Sequence, residues 1–180
     1  MKNAGHSATD SALRTPHCAL AIVALGSNLG DSRQMIFNAM ARLQTFSDEP
    51  ILKSSLWQTS PVDCPPDSPK FVNAVASLAP RADETPESLL VKLHALEREF
   101  GRQAKKALNE PRPLDLDLIA FGNEIRHSPE LTLPHPRAHL RRFVLQPLSE
   151  IAPDLILPEQ GMTVTELLAG LPADEMVTRI

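Results

Sequence analysis

The chain has 180 residues, a formal net charge of -4 and 42% hydrophobic residues. Such a length is one ordinary domain that can bury a core without disulfides or a structural metal; the acidic balance argues against a general nucleic-acid binder, and no apolar run approaches the roughly 20 residues that cross a bilayer. Cys18 and Cys64 stand far apart in unrelated contexts, which suits a reducing, cytoplasmic compartment better than a disulfide scaffold or a zinc site.

In chain order, Met1 to His17 is polar and without periodicity, and reads as a disordered arm ahead of a single domain over 18–180. Ala19 to Leu25 is a continuous apolar run that ends in Gly-Ser-Asn-Leu-Gly, the pattern of a central strand entering a turn. Asp31, with Gln34 three residues on, predicts a capping-box-like start to a helix whose Ile36, Ala39, Met40 and Leu43 recur at helical spacing. Ile51 to Thr59 and Phe71 to Leu78 read as two strands joined by the Pro-rich stretch Pro61 to Pro69, and a helix follows from about Pro86 to Phe100 with Leu89, Leu90, Leu93 and Leu96 inward. Gly101 ends it. Leu114 to Phe121 reads as another strand, and Gly122-Asn123 as a turn into a short following strand. The order β-α-β-β-α-β predicts an α+β, ferredoxin-like fold, an antiparallel sheet with two helices on one face, plus a C-terminal extension.

The chemistry concentrates in Asp115-Leu116-Asp117. Side chains two apart on a strand point the same way, so both carboxylates aim at one place while Leu114, Leu116 and Leu118 face the core. Converging carboxylates repel unless a cation separates them, and magnesium suits such oxygen donors; a lone Asp-x-Asp is more often a solvated strand face, and its neighbours decide. Upstream lies a basic loop with Arg102, Lys105, Lys106 and Arg112, and downstream a second cluster around His135, Arg137, Arg141 and Arg142. Arginines beside acids suit phosphate chemistry, in which cationic groups hold anionic oxygens that metal ions bridge to carboxylates. Neither Gly-rich phosphate-binding fingerprint occurs, so a nucleotide here would be held by side chains and metal.

Gly26-Ser27-Asn28-Leu29-Gly30, Phe71-Val72-Asn73-Ala74, Pro111-Arg112-Pro113-Leu114-Asp115-Leu116-Asp117 and Leu133-Pro134-His135-Pro136-Arg137 follow one another in the chain. Together they resemble the 6-hydroxymethyl-7,8-dihydropterin pyrophosphokinase family, from about Ala19 to Pro158. The resemblance implies transfer of pyrophosphate from ATP to the hydroxymethyl group of a reduced pterin, a step of folate biosynthesis, with two magnesium ions and with ATP and pterin side by side over the sheet. By position, Asp115 and Asp117 match the metal ligands. Arg102 and Arg112 match mobile-loop arginines that contact ATP, His135 and Arg141 match phosphate contacts on the opposite wall, and Glu97 matches a position near the nucleotide. Phe71 and Phe143 match aromatics that sandwich the pterin, Asn73 matches the side chain that reads its amide edge, and the backbone around Thr59 and Val62 completes the pocket. The partners implied are these two small molecules, without nucleic acid or membrane, on a monomer. Two departures, Glu110 beside the arginine motif and Ala104 where a further loop arginine often stands, leave open a catalytically silent paralogue that binds pterin or nucleotide. A nucleotidyl transferase on a similar sheet is a further alternative, distinguished by releasing pyrophosphate in place of AMP.

Overall fold

The computed structural model describes residues 20–60, 69–103, 110–172 and 177–180, so the arm expected at 1–17 lies outside the described residues. The first strand, β1 (Ala21–Ser27), is apolar from Ala21 to Leu25, where both of its faces pack: Ala21, Val23 and Leu25 enter one core and Ile22 a second. Asp31 caps α1 (Ser32–Leu43) by accepting the Gln34 N–H at 3.1 Å. The Gln34 amide donates to Asn38 Oδ1 at 2.8 Å, one turn on, so only half of the expected capping box forms.

The strand expected over Ile51 to Thr59 is broken into β2 (Leu52–Lys53) and β3 (Trp57–Thr59). The cause is Ser54, whose hydroxyl accepts the Val75 N–H at 2.9 Å, after which the Ser55 N–H turns away to the Glu150 carboxylate at 2.6 Å. The next strand, β4 (Phe71–Leu78), pairs antiparallel with β1, β2 and β3. Thr85 and Ser88 exchange capping-box hydrogen bonds at the start of α2 (Pro86–Glu99), which buries Leu89, Leu93 and Leu96. β5 (Asp115–Phe121) returns beside β1. The strand order β5-β1-β4-β3 is the ferredoxin-like arrangement, with α1 and α2 on one face.

The turn at Gly122 leads into β6 (Arg126–His127), which pairs with β7 (Thr132–Leu133) as a separate small ladder. The C-terminal extension then supplies a layer that the element order did not foretell: α3 (Arg142–Ile151) and α4 (Val164–Gly170) cover part of the opposite face. Val144, Leu145, Leu148 and Val164 pack there on Ile22, Val75, Ile119 and Ala120. Last, β8 (Val177–Arg179) pairs with the outer edge of β3, occupying hydrogen-bonding groups that an edge strand would leave open. The face under α3 is therefore divided, one end roofed by helix and the other left for chemistry.

Candidate active site

Period-two alternation sorts the strands at the unroofed end. Residues Leu116, Val72, Ala74 and Leu25 point into the helix-covered core, so Asp115, Asp117, Phe71, Asn73 and Gly26 point the other way, onto one surface. Thr59 and Asn73 lie on the same side of β3 and β4, and Asn73 Nδ2 donates to Thr59 Oγ1 at 2.8 Å. Both are almost fully buried, Asn73 at 5% exposure and Thr59 at 3%. That hydrogen bond fixes the amide orientation.

The two carboxylates have different surroundings. Asp115 is saturated by guanidinium groups, with Arg102 Nη1 at 2.6 Å from Oδ1 and Arg112 Nη2 at 3.1 Å from Oδ2. Among the described residues, Asp117 has a single, long ion pair, with Arg141 Nη1 at 4.0 Å. Burial, together with the neighbouring Asp115 charge, pushes the Asp117 carboxyl above the ordinary aspartate range. A hard cation would relieve that cost, so this pair fits magnesium. Among the described residues no cluster of three or more His, Cys, Asp or Glu could cage an ion alone. The remaining ligands would come from water and substrate oxygens, as is usual for magnesium at phosphate sites.

Arg102 is delivered by the end of α2. Gly101 adopts φ 89°, and the Gly101 N–H to Arg98 O (3.0 Å) and Arg102 N–H to Glu97 O (2.9 Å) bonds close a Schellman turn. The chain thus folds back over its last turn, and Arg102 pairs with Glu97 as well as with Asp115. Glu97 is 4% exposed and lies beneath the site, accepting the Leu116 N–H at 2.8 Å between the two aspartates. Burial raises its carboxyl to about 6, outweighing the opposing hydrogen bond from Leu116 and the charge of Arg102.

Arg112 is positioned by a residue 84 places away in the chain. Asn28 Oδ1 accepts the Arg112 N–H at 2.8 Å, and the Asn28 N–H donates to Arg112 O at 3.2 Å, a two-point attachment of the loop to the β1–α1 turn. Asn28 carried no role in the sequence reading; its place in the Gly-Ser-Asn-Leu-Gly motif was the available signal. The arginines also lie against the aromatics, Arg112 Cζ 5.9 Å from the Phe71 ring centre and Arg141 Cζ 5.3 Å from that of Phe143. His135 sits near Asp117, and burial lowers its imidazole below the usual histidine value against the pull of the Asp117 charge.

The structure thus gathers Arg102, Arg112, Asp115, Asp117, His135 and Arg141 into one charged group, with Thr59, Phe71 and Asn73 on the same rim. The second basic cluster divides: Arg141 faces the acids, Arg137 is exposed, and Arg142 donates to Leu171 O and Pro172 O, each at 3.0 Å, at the end of α4. Val62, Ala104, Lys105 and Lys106 lie outside the described residues.

Residues 22–153 match the model of the 7,8-dihydro-6-hydroxymethylpterin-pyrophosphokinase family. The chain is 40% identical over 151 residues to the 2-amino-4-hydroxy-6-hydroxymethyldihydropteridine pyrophosphokinase of Pseudomonas aeruginosa, covering 83% of this chain and 90% of that protein. It is 37% identical over 157 residues to the enzyme of the same name from Haemophilus influenzae, covering 87% and 96%. Its fold is similar to that of Plasmodium falciparum HPPK-DHPS solved with pteroate, at a TM-score of 0.67 and 13% identity. That match covers 84% of this chain and only 44% of the longer protein.

Proposed function

The chain belongs to the 7,8-dihydro-6-hydroxymethylpterin-pyrophosphokinase family, whose reaction is pyrophosphoryl transfer from ATP to hydroxymethyldihydropterin in folate biosynthesis, and we propose how its own residues divide that work. Asp115 and Asp117 would hold two divalent cations, which would supply positive charge to neutralise the phosphates and to favour ionisation of the attacking hydroxyl. Arg102, Arg112, Arg141 and His135 bind the triphosphate, and Glu97 contributes to nucleotide binding through Arg102. Phe71 and Phe143 stack on the pterin, Asn73 reads its amide edge in the orientation set by Thr59, and the backbone at Thr59 and Val62 completes that pocket.

The reaction then depends mainly on placement. The hydroxymethyl oxygen bonds to the β-phosphorus as the bond from that phosphorus to the α,β-bridging oxygen breaks. The hydroxyl proton passes to water and AMP departs with the bridging oxygen. As negative charge redistributes over the phosphoryl oxygens, the guanidinium groups that faced Asp115 stabilise it. Among the described residues no helix is long and apolar enough to cross a membrane, and the reading is of a cytoplasmic monomer acting on small molecules.

The observation that carries this reading is the saturation of Asp115 by two arginines beside an under-compensated Asp117, on the same face of the sheet as Asn73. The test is a product assay with ATP, magnesium and 6-hydroxymethyl-7,8-dihydropterin on the wild type and the Asp115→Ala, Asp117→Ala double variant. Metal-dependent AMP and pterin diphosphate, abolished in the variant, is the expected result. Pterin binding without product from the wild type would reveal a silent paralogue, and pyrophosphate release a nucleotidyl transferase.

A further inference from the structure

β3 is three residues long, and its last residue is Thr59, whose hydroxyl holds the Asn73 amide. A strand this short, bonded on one side alone, frays at its ends, and Thr59 would lose its place there. β4 holds the inner edge over Trp57 to Thr59. β8 holds the outer edge over the same three residues, with Val177 directly opposite Thr59. β8 lies beyond residues 22–153, the stretch that matches the family.

β8 is itself anchored from several sides. The Ile180 N–H donates to Leu56 O at 2.9 Å, and the Ile180 side chain packs on the core that α1 and α2 cover. On α3, Glu150 serves both strands: Oε2 accepts the Ser55 N–H at 2.6 Å, just ahead of β3, and Oε1 lies 3.8 Å from Arg179 Nε. At the other end of α3, Arg142 holds the carbonyls of Leu171 and Pro172 at 3.0 Å each. Arg142 stands between Arg141 and Phe143, so the chain ahead of β8 is tied to the turn of α3 that carries Phe143.

We infer that β8 is a positioning element for pterin recognition: paired to the outer edge of β3, it keeps Thr59 in register, and Thr59 keeps the Asn73 amide turned to the ligand. This rests on the functional reading above.

The test compares wild type with Thr178→Pro. Ile180 and Leu56 form one hydrogen-bonded pair of the antiparallel ladder, so Thr178 opposite Gln58 forms the next, and proline there removes its N–H. Thr178 is exposed, and Thr178→Val keeps the N–H as the conservative control. Affinity for 6-hydroxymethyl-7,8-dihydropterin is measured by calorimetry with magnesium and α,β-methylene-ATP, beside affinity for that analogue alone and steady-state kinetics. Acrylamide quenching of Trp57, the single tryptophan and the β3 partner of Arg179, reports on β3 directly. Thr178→Pro is expected to lose about tenfold in pterin affinity, the worth of one hydrogen bond, with a raised pterin KM and a more quenchable Trp57. Analogue affinity and kcat at saturating pterin stay unchanged, and Thr178→Val behaves as wild type. Unchanged pterin affinity in Thr178→Pro overturns the inference, and so does an equal loss of analogue affinity, which would make β8 merely structural. Should the proline variant not fold, Glu150→Ala, which frees both Ser55 and Arg179, is judged by the same measures. Absence of pterin binding and turnover in the wild type overturns the functional reading, and this inference with it.

Discussion

Glu97→Gln isolates the cost of holding a carboxylate beneath the site. Glutamine keeps an acceptor for the Leu116 N–H, bonded at 2.8 Å to Glu97 Oε1, and removes the ionisation. Because burial raises the folded-state value from 4.5 to about 6, the folded protein binds this proton more tightly than the unfolded chain does. The associated stability is present in full below pH 4.5 and is lost as pH rises through about 6. At ~1.4 kcal/mol per pKa step, the amount lost is about 2 kcal/mol, or roughly 4–8 °C in Tm for a chain of this size. Thermal melts of both proteins from pH 4.5 to 7.5, without nucleotide or metal, measure it. The Tm of Glu97→Gln relative to wild type should climb by that amount across the range, while contributions from Asp117 and His135 largely cancel in the difference. A difference that stays flat with pH would refute the assignment.

Three further outcomes follow from the geometry. Asn28→Ala strands the part-buried Arg112 N–H, costing about 1 kcal/mol in chemical denaturation. It also weakens ATP use, and it should be non-additive with Arg112→Ala in a double-mutant cycle. Arg112→Ala itself should lower pyrophosphoryl transfer about a hundredfold or more at saturating pterin; unchanged turnover would remove Arg112 from the machinery. Gly101→Ala forces a side chain into the φ 89° turn that returns Arg102 to Glu97. It should cost about 1–2 kcal/mol by thermal melt, with a raised KM for ATP and little change for the pterin.

What was legible in the sequence was whatever a short-range period encodes. Burial on both faces makes β1 a continuous apolar run, and alternation around Leu114, Leu116 and Leu118 turned Asp115 and Asp117 outward together. Contacts between distant segments left no such trace. Asn28 and Arg112 meet across 84 residues through main-chain groups that any sequence possesses. The split between β2 and β3 depends on one serine hydroxyl replacing a ladder partner. The amphipathic run Val144, Leu145 and Leu148 was present in the C-terminal extension, yet only the assembled sheet shows which face it roofs.

The boundary between fold and chemistry consequently runs across the strands, not between segments. Along the face under α3, Ile22, Val75 and Ile119 belong to the roofed core. Ala24 and Asp117 stand in register with Val75 at its border, and the next row on this face is Asn73, Gly26 and Asp115. Because the sheet is antiparallel, that single rim collects the C-terminal ends of β1 and β3 and the N-terminal ends of β4 and β5. Three motifs separated along the chain, at Gly26, at Phe71 and at Pro111, therefore lie at strand ends on one side of the sheet. Each strand is anchored by its apolar half, so the rim residues can carry unfavourable charge, buried amides and a bare glycine without each needing to stabilise the fold. The raised carboxyls of Asp117 and Glu97 show that cost remaining in the free protein, where bound cations and phosphates would offset it.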